Sequence, residues 1–174
     1  MWFDGYSTAF FYLYYMKKIP YGSAGSFEDL ITEGYLYIDR TQYIEKLENL
    51  SEKHLIFLRP RRFGKSLFVS VLQYYYGIEH KDKFVQLFGD YYIGKNSTSL
   101  RNSYLILKFN FSGVNTTTEE TTQKSFLEEV RVSVESFLKT YSSIFNSKNL
   151  EVLQTISSPE IIMKKLWSWV QTEA

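Results

Sequence analysis

Two rhythms of apolar and polar residues run along this chain. From Lys65 to Tyr76, the residues Leu67, Val71, Leu72 and Tyr75 fall near one stripe of a helix. From Glu119 to Tyr141, Phe126, Val130, Val134, Phe137 and Tyr141 recur at steps of three and four, which predicts a long amphipathic helix. Short apolar runs read differently. His54 to Leu58 (HLIFL) has the character of a fully buried strand, Tyr35 to Ile38 (YLYI) is a short β-type run, and Tyr104 to Phe111 (YLILKFNF) is the strongest strand candidate. Local signals mark the ends of further helices. Ser26, Phe27, Glu28 and Asp29 read as a capping box opening a short helix that Gly34 ends. Asp39, with Gln42 three residues on, reads as the cap of a helix running to about Leu50. Lys81 to Phe88 reads as another helix, and Ser158, Pro159 and Glu160 open a last one with serine as cap and proline at its first position. Strands alternating with helices predict an α/β fold with a parallel sheet and flanking helices.

Composition narrows the function classes. The 174 residues are 44% hydrophobic, enough for one packed domain or part of a larger one. Lys plus Arg (20) nearly balances Asp plus Glu (19), which argues against a generally basic nucleic-acid coat or an acidic tail. The absence of cysteine removes disulfides, thiolate metal sites and a cysteine nucleophile. With only His54 and His80, a multi-histidine metal site is excluded. His54 reads as structural, His80 as an exposed turn residue. The apolar stretch Ala9 to Met16 is too short to span a bilayer and lacks the basic flank of a signal peptide. The expectation is a cytoplasmic protein with no membrane partner. Residues 1–15 read as an apolar extension or a mis-called start, with Met16 as the alternative first residue.

One stretch carries chemistry. Residues 55–72 read LIFLRPRRFGKSLFVSVL: an apolar run, a turn containing Gly64, Lys65 and Ser66, then a helix. That order is the setting of a phosphate-binding loop. A helix N-terminus offers unpaired N–H groups and a partial positive charge to an anion. Gly64 allows close backbone approach, Lys65 can reach a terminal phosphate, and the Ser66 hydroxyl can sit on Mg²⁺. The usual G-x-x-x-x-G-K-[ST] spacing is broken at its first position, where Arg59 stands. Arg59 is therefore the arginine expected to touch nucleotide or the loop backbone.

Arg59, Pro60, Arg61, Arg62, Phe63, Gly64, Lys65, Ser66 and Leu67 resemble the modified Walker A loop of the AAA-ATPase-like family, written RPRRFGKS. Met16 to Gly22, Ser26 to Glu28, Tyr37 to Thr41 and Arg101 to Ser112 resemble that family's other landmarks, so the resemblance covers residues 16–174. It implies a P-loop NTPase-type parallel sheet, binding of ATP at Arg59–Leu67, Mg²⁺ at Ser66, and ATPase activity in a full-length protein. Asp39 reads two ways: near the nucleotide, as its motif in the family implies, or as a helix cap.

The family's Walker B strand, an apolar run ending in acidic residues, has no counterpart before Ala174. Neither does the nuclease-like domain found in many members. The expectation is therefore a domain truncated before the Walker B strand, with nucleotide affinity exceeding catalytic competence. A protein partner or a missing C-terminal half would complete the sheet. Two other readings stand beside nucleotide binding. One is a non-catalytic remnant acting through a partner. The other is a nucleic-acid contact module built on Arg59, Arg61, Arg62 and Lys65.

Overall fold

The computed structural model describes residues 17–20, 26–52 and 54–174. The apolar stretch Ala9 to Met16 and the family landmark at Met16, Tyr21 and Gly22 lie outside the described residues. The chain divides into two compact units, the first reaching Tyr104 and the second running from Leu105 to Ala174.

The first unit is built from helices α1 (Phe27–Thr32), α2 (Gln42–Glu48), α3 (Lys65–Tyr76), α4 (Phe84–Phe88) and α5 (Tyr92–Lys95), with a 3-10 turn at Ile78–Lys83 before α4. α1 starts at the predicted capping box: Ser26 Oγ accepts from Asp29 N, and Asp29 accepts from Ser26 N. It ends at Gly34, whose φ of 73° is a left-handed turn that favours glycine. The α1 backbone is tied to α3 from inside: buried Ser70 Oγ accepts the Phe27 N–H at 2.9 Å. Phe27, Ile44, Val71, Tyr75, Leu87, Phe88 and Ile93 form a fully buried core, with Leu67, Leu72 and Tyr74 packed at its margin. Phe27 meets Phe88 at 5.0 Å between ring centroids and Tyr37 edge-on at 5.1 Å, so aromatic pairing contributes beyond plain burial.

The second unit has α6 (Glu119–Thr140), α7 (Lys148–Thr155) and α8 (Pro159–Glu173), with α7 and α8 both packed on α6. The periodicity read for α6 holds: Val130, Val134, Phe137 and Tyr141 are all buried, while Phe126 stays 38% exposed. Thr118 caps α6, and Ser158 with Pro159 opens α8 as the sequence predicts.

The parallel sheet is absent among the described residues. Among the described residues the only β pairings are two isolated bridges, Lys18 with Tyr35 and Gly77 with Tyr104, and the architecture is helical. The α/β assignment, with its P-loop NTPase-type sheet, is therefore overturned. A strand exists only through its ladder, and strand-forming residues do not supply the neighbour. The HLIFL run forms no strand among the described residues, with Leu55 51%, Ile56 85%, Phe57 47% and Leu58 84% exposed. Tyr104 to Phe111 makes one bridge at its first residue, and Ile106 N–H donates to the Tyr141 hydroxyl at 2.8 Å rather than to a strand.

Candidate phosphate-binding loop

α3 begins where the motif predicts, with Lys65 as its first residue. Its N-cap, Gly64, has φ 74° and no side chain to satisfy the first-turn N–H groups. The first helical bond, from Phe68 N to Gly64 O at 2.9 Å, leaves the N–H groups of Lys65, Ser66 and Leu67 without helical partners. A Cβ built on Gly64 would meet nothing within 4 Å. Within the protein itself, glycine is favoured here by its left-handed backbone. Two residues earlier Arg62 is also left-handed, at φ 67°. Left-handed residues in turns are an ingredient of the backbone nests that bind anions.

The charged side chains divide by role. Lys65 Nζ folds back over the loop and donates to Arg59 O at 2.5 Å and Pro60 O at 3.1 Å. The Arg59 guanidinium lies over the Phe57 ring, 5.6 Å from its centroid, and Phe57 packs against Phe68 at 5.3 Å. The arginine that replaces the motif's first glycine therefore touches the loop through its carbonyl, while its charge rests on an aromatic ring. Arg61 and Arg62 are exposed and have no hydrogen-bond, ion-pair or ring partner among the described residues. Pro60 and Ser66 are exposed, Phe63 is 58% exposed, and Leu67 turns inward against the core.

The Phe57–Phe68 seat for Arg59 is not part of the motif. Its sequence signal is an aromatic two residues before Arg59 and another in the first turn of the helix.

The Asp39 carboxylate is engaged by Thr41 and Tyr92. Its Oδ1 accepts from Thr41 N at 2.8 Å and Thr41 Oγ1 at 2.7 Å, and its Oδ2 accepts from Tyr92 N at 2.7 Å. Its capping role is real but lands on α5; the expected partnership with Gln42 on α2 is absent, since Thr41 is the N-cap there. His54 is exposed, whereas His80, read as exposed, has only 13% of its side chain accessible. Its ring lies 4.1 Å from that of Tyr74, and burial holds its imidazole below the usual histidine pKa.

A Mg²⁺ ion at phosphates is ordinarily held through one or two carboxylates as well as the phosphate oxygens. Residues 53–78 contain no Asp or Glu, and no group of three or more His, Asp or Glu side chains among the described residues could hold a metal. The loop's one side-chain oxygen, Ser66 Oγ, is neutral and stands beside four positive charges. This donor set does not fit a protein-held Mg²⁺.

No helix among the described residues is long and apolar enough to cross a membrane. No curated protein and no solved structure matches the chain. The model of one family, AAA-ATPase-like, described as predicted AAA-ATPase, matches residues 20–171, a span that takes in the loop and both compact units. With most of its length matched, including the loop at Arg59–Ser66, this chain belongs to the AAA-ATPase-like family.

Proposed function

We propose that this chain binds a nucleotide, ATP, through its phosphates at Arg59–Ser66. The observation that carries the reading is the pair of left-handed turns at Arg62 and Gly64 leading into the uncapped start of α3, with the Lys65 ammonium held at the same loop. Free N–H groups, the helix dipole and a lysine converge on one place, and a phosphate satisfies all three. The Lys65 bonds to two carbonyls are the ligand-free arrangement; phosphate takes the ammonium from them. Family membership supports ATP as the nucleotide. Hydrolysis asks for more, namely a group that orients the attacking water and a carboxylate that helps hold metal, and residues 53–78 supply no carboxylate. The function proposed is therefore binding.

The test is the thermal midpoint with and without millimolar ATP, for the parent and for Lys65→Ala. A ligand at about 100 times its Kd adds about 2.7 kcal/mol, a shift of several degrees for a domain of this size. A shift in the parent and none in Lys65→Ala is the expected result. An equal shift in both would overturn the reading.

A further inference from the structure

We infer that the loop neutralises its polyphosphate with its own guanidinium groups, so that nucleotide binding does not depend on a divalent cation. This rests on the nucleotide reading above and concerns how that site is charged. Arg59, Arg61, Arg62 and Lys65 place four positive charges within seven residues. None has a carboxylate within ion-pairing distance among the described residues: Lys65 is bound to carbonyls, Arg59 rests on Phe57, and Arg61 and Arg62 are unpartnered. Three acids of the same unit are engaged elsewhere. Glu28 holds Lys83 and Tyr74, Asp39 holds Thr41 and Tyr92, and Glu48 holds Tyr76 and Thr98.

Like charges held this close repel one another until a counter-charge arrives. A Mg²⁺ ion brought in with a triphosphate cancels about half of the negative charge that would relieve them. It would also enter a loop that offers it no carboxylate, only the neutral Ser66 Oγ and backbone carbonyls. The metal-free triphosphate is the better match, and guanidinium groups bind phosphate oxygens in pairs of charge-assisted hydrogen bonds.

Arg62 gives the clearest sign of this design. Its φ of 67° is a conformation that a side chain adopts only with strain and that glycine would adopt freely. What arginine adds at this turn is its guanidinium.

The experiment measures the Kd of ATP by titration in excess EDTA and in excess MgCl₂, for the parent, for Lys65→Ala and for the double variant Arg61→Gln/Arg62→Gly. Both arginines are exposed and unpartnered, and glycine relieves the turn, so the ligand-free thermal midpoint of the double variant is expected at or above that of the parent. The parent is expected to bind ATP in EDTA at least as tightly as in MgCl₂. The double variant is expected to lose about tenfold or more in EDTA, the effect of one lost charge-assisted hydrogen bond. Parent binding that needs Mg²⁺ and is abolished by Lys65→Ala would leave the nucleotide reading standing and overturn this inference. A double variant that binds as tightly as the parent in EDTA would overturn it too. No binding in either solution would overturn both.

Discussion

The Asp39 carboxylate accepts the backbone N–H of Tyr92, 53 residues away, at 2.7 Å, and so caps a helix on which it does not lie. Fully buried Thr41 completes the clamp: its Oγ1 donates to Asp39 and accepts the Ile93 N–H at 3.1 Å. Two first-turn N–H groups of α5 are thus satisfied by one short segment before α2. Removing a capping carboxylate costs about 1–2 kcal/mol, and stranding a buried donor costs about 1–3 kcal/mol. Asp39→Ala and Thr41→Val are each expected to lower the thermal midpoint by several degrees. Their effects should fall short of additive in the double variant, because the two residues share one network. Additive losses would show that the clamp does not act as a unit.

Arg131 has a comparable task in the second unit. From α6 its Nη1 donates to Leu153 O at 2.5 Å and its Nη2 to Ile156 O at 2.6 Å, capping the carbonyl end of α7. Only 13% of its side chain is exposed, whereas its ion-pair neighbour Glu128, 3.5 Å away, is 65% exposed. The carbonyl bonds therefore outweigh the ion pair. Arg131→Ala is expected to destabilise by about 2–3 kcal/mol, with Arg131→Lys recovering only part, since one ammonium cannot reproduce the planar fork. Glu128→Gln is expected to be nearly neutral. Chemical denaturation of the three variants orders them, and a large loss from Glu128→Gln would reverse the assignment.

What the sequence disclosed, and what it hid, follows from the range of each interaction. The starts of α3, α6 and α8 are legible because caps, proline and side-chain periodicity act within a turn or two. The loop is legible for the same reason: Gly64, Lys65 and Ser66 are adjacent. The sheet is not, because His54 to Leu58 has the composition of a buried strand while its burial depends on a neighbour that composition does not encode. The target of Asp39 is hidden for a similar reason. The residue type announces a cap, and the local spacing points to Gln42, but the N–H groups it satisfies belong to Tyr92 and come from the tertiary fold. Helices α5 and α7, four and eight residues long, carry too few turns to show a period.

His80 makes the first unit sensitive to acid. Burial holds its imidazole below the usual value; Lys83 adds to that, while the carboxylates of Glu79 and Glu28 oppose it. Its Nε2 lies 3.3 Å from Glu79 Oε1, and its ring packs at a tilt against Tyr74, whose hydroxyl donates to Glu28. A histidine with a depressed folded pKa binds its proton more readily when unfolded. Its contribution to stability is therefore complete above the unfolded value of 6.5 and is lost as pH falls from there toward the folded value. Glu28, held below the usual carboxylate value chiefly by its hydrogen bond to Lys83, loses its own contribution only at lower pH, below 4.5. Thermal midpoints between pH 7 and 5 should fall less steeply in His80→Gln than in the parent. Equal slopes would assign that part of the acid sensitivity to other groups.

The exposed run at 55–58 yields the sharpest contrast between a buried strand and the structure observed. Ile56 and Leu58 are 85% and 84% exposed, and their backbone has no ladder partner among the described residues. An apolar, β-prone segment with free backbone groups is an invitation to intermolecular pairing. Polar side chains at both positions should suppress that pairing and leave folding intact, because they remove almost no buried area. Were these residues at the centre of a sheet, the same substitutions would strip two core side chains and cost about 2–5 kcal/mol each. Ile56→Thr/Leu58→Thr is therefore expected to keep the thermal midpoint within a degree or two of the parent and to reduce light scattering at high protein concentration. A collapse of the midpoint would show that the run is buried, and unchanged scattering would show that it is not the surface through which molecules associate.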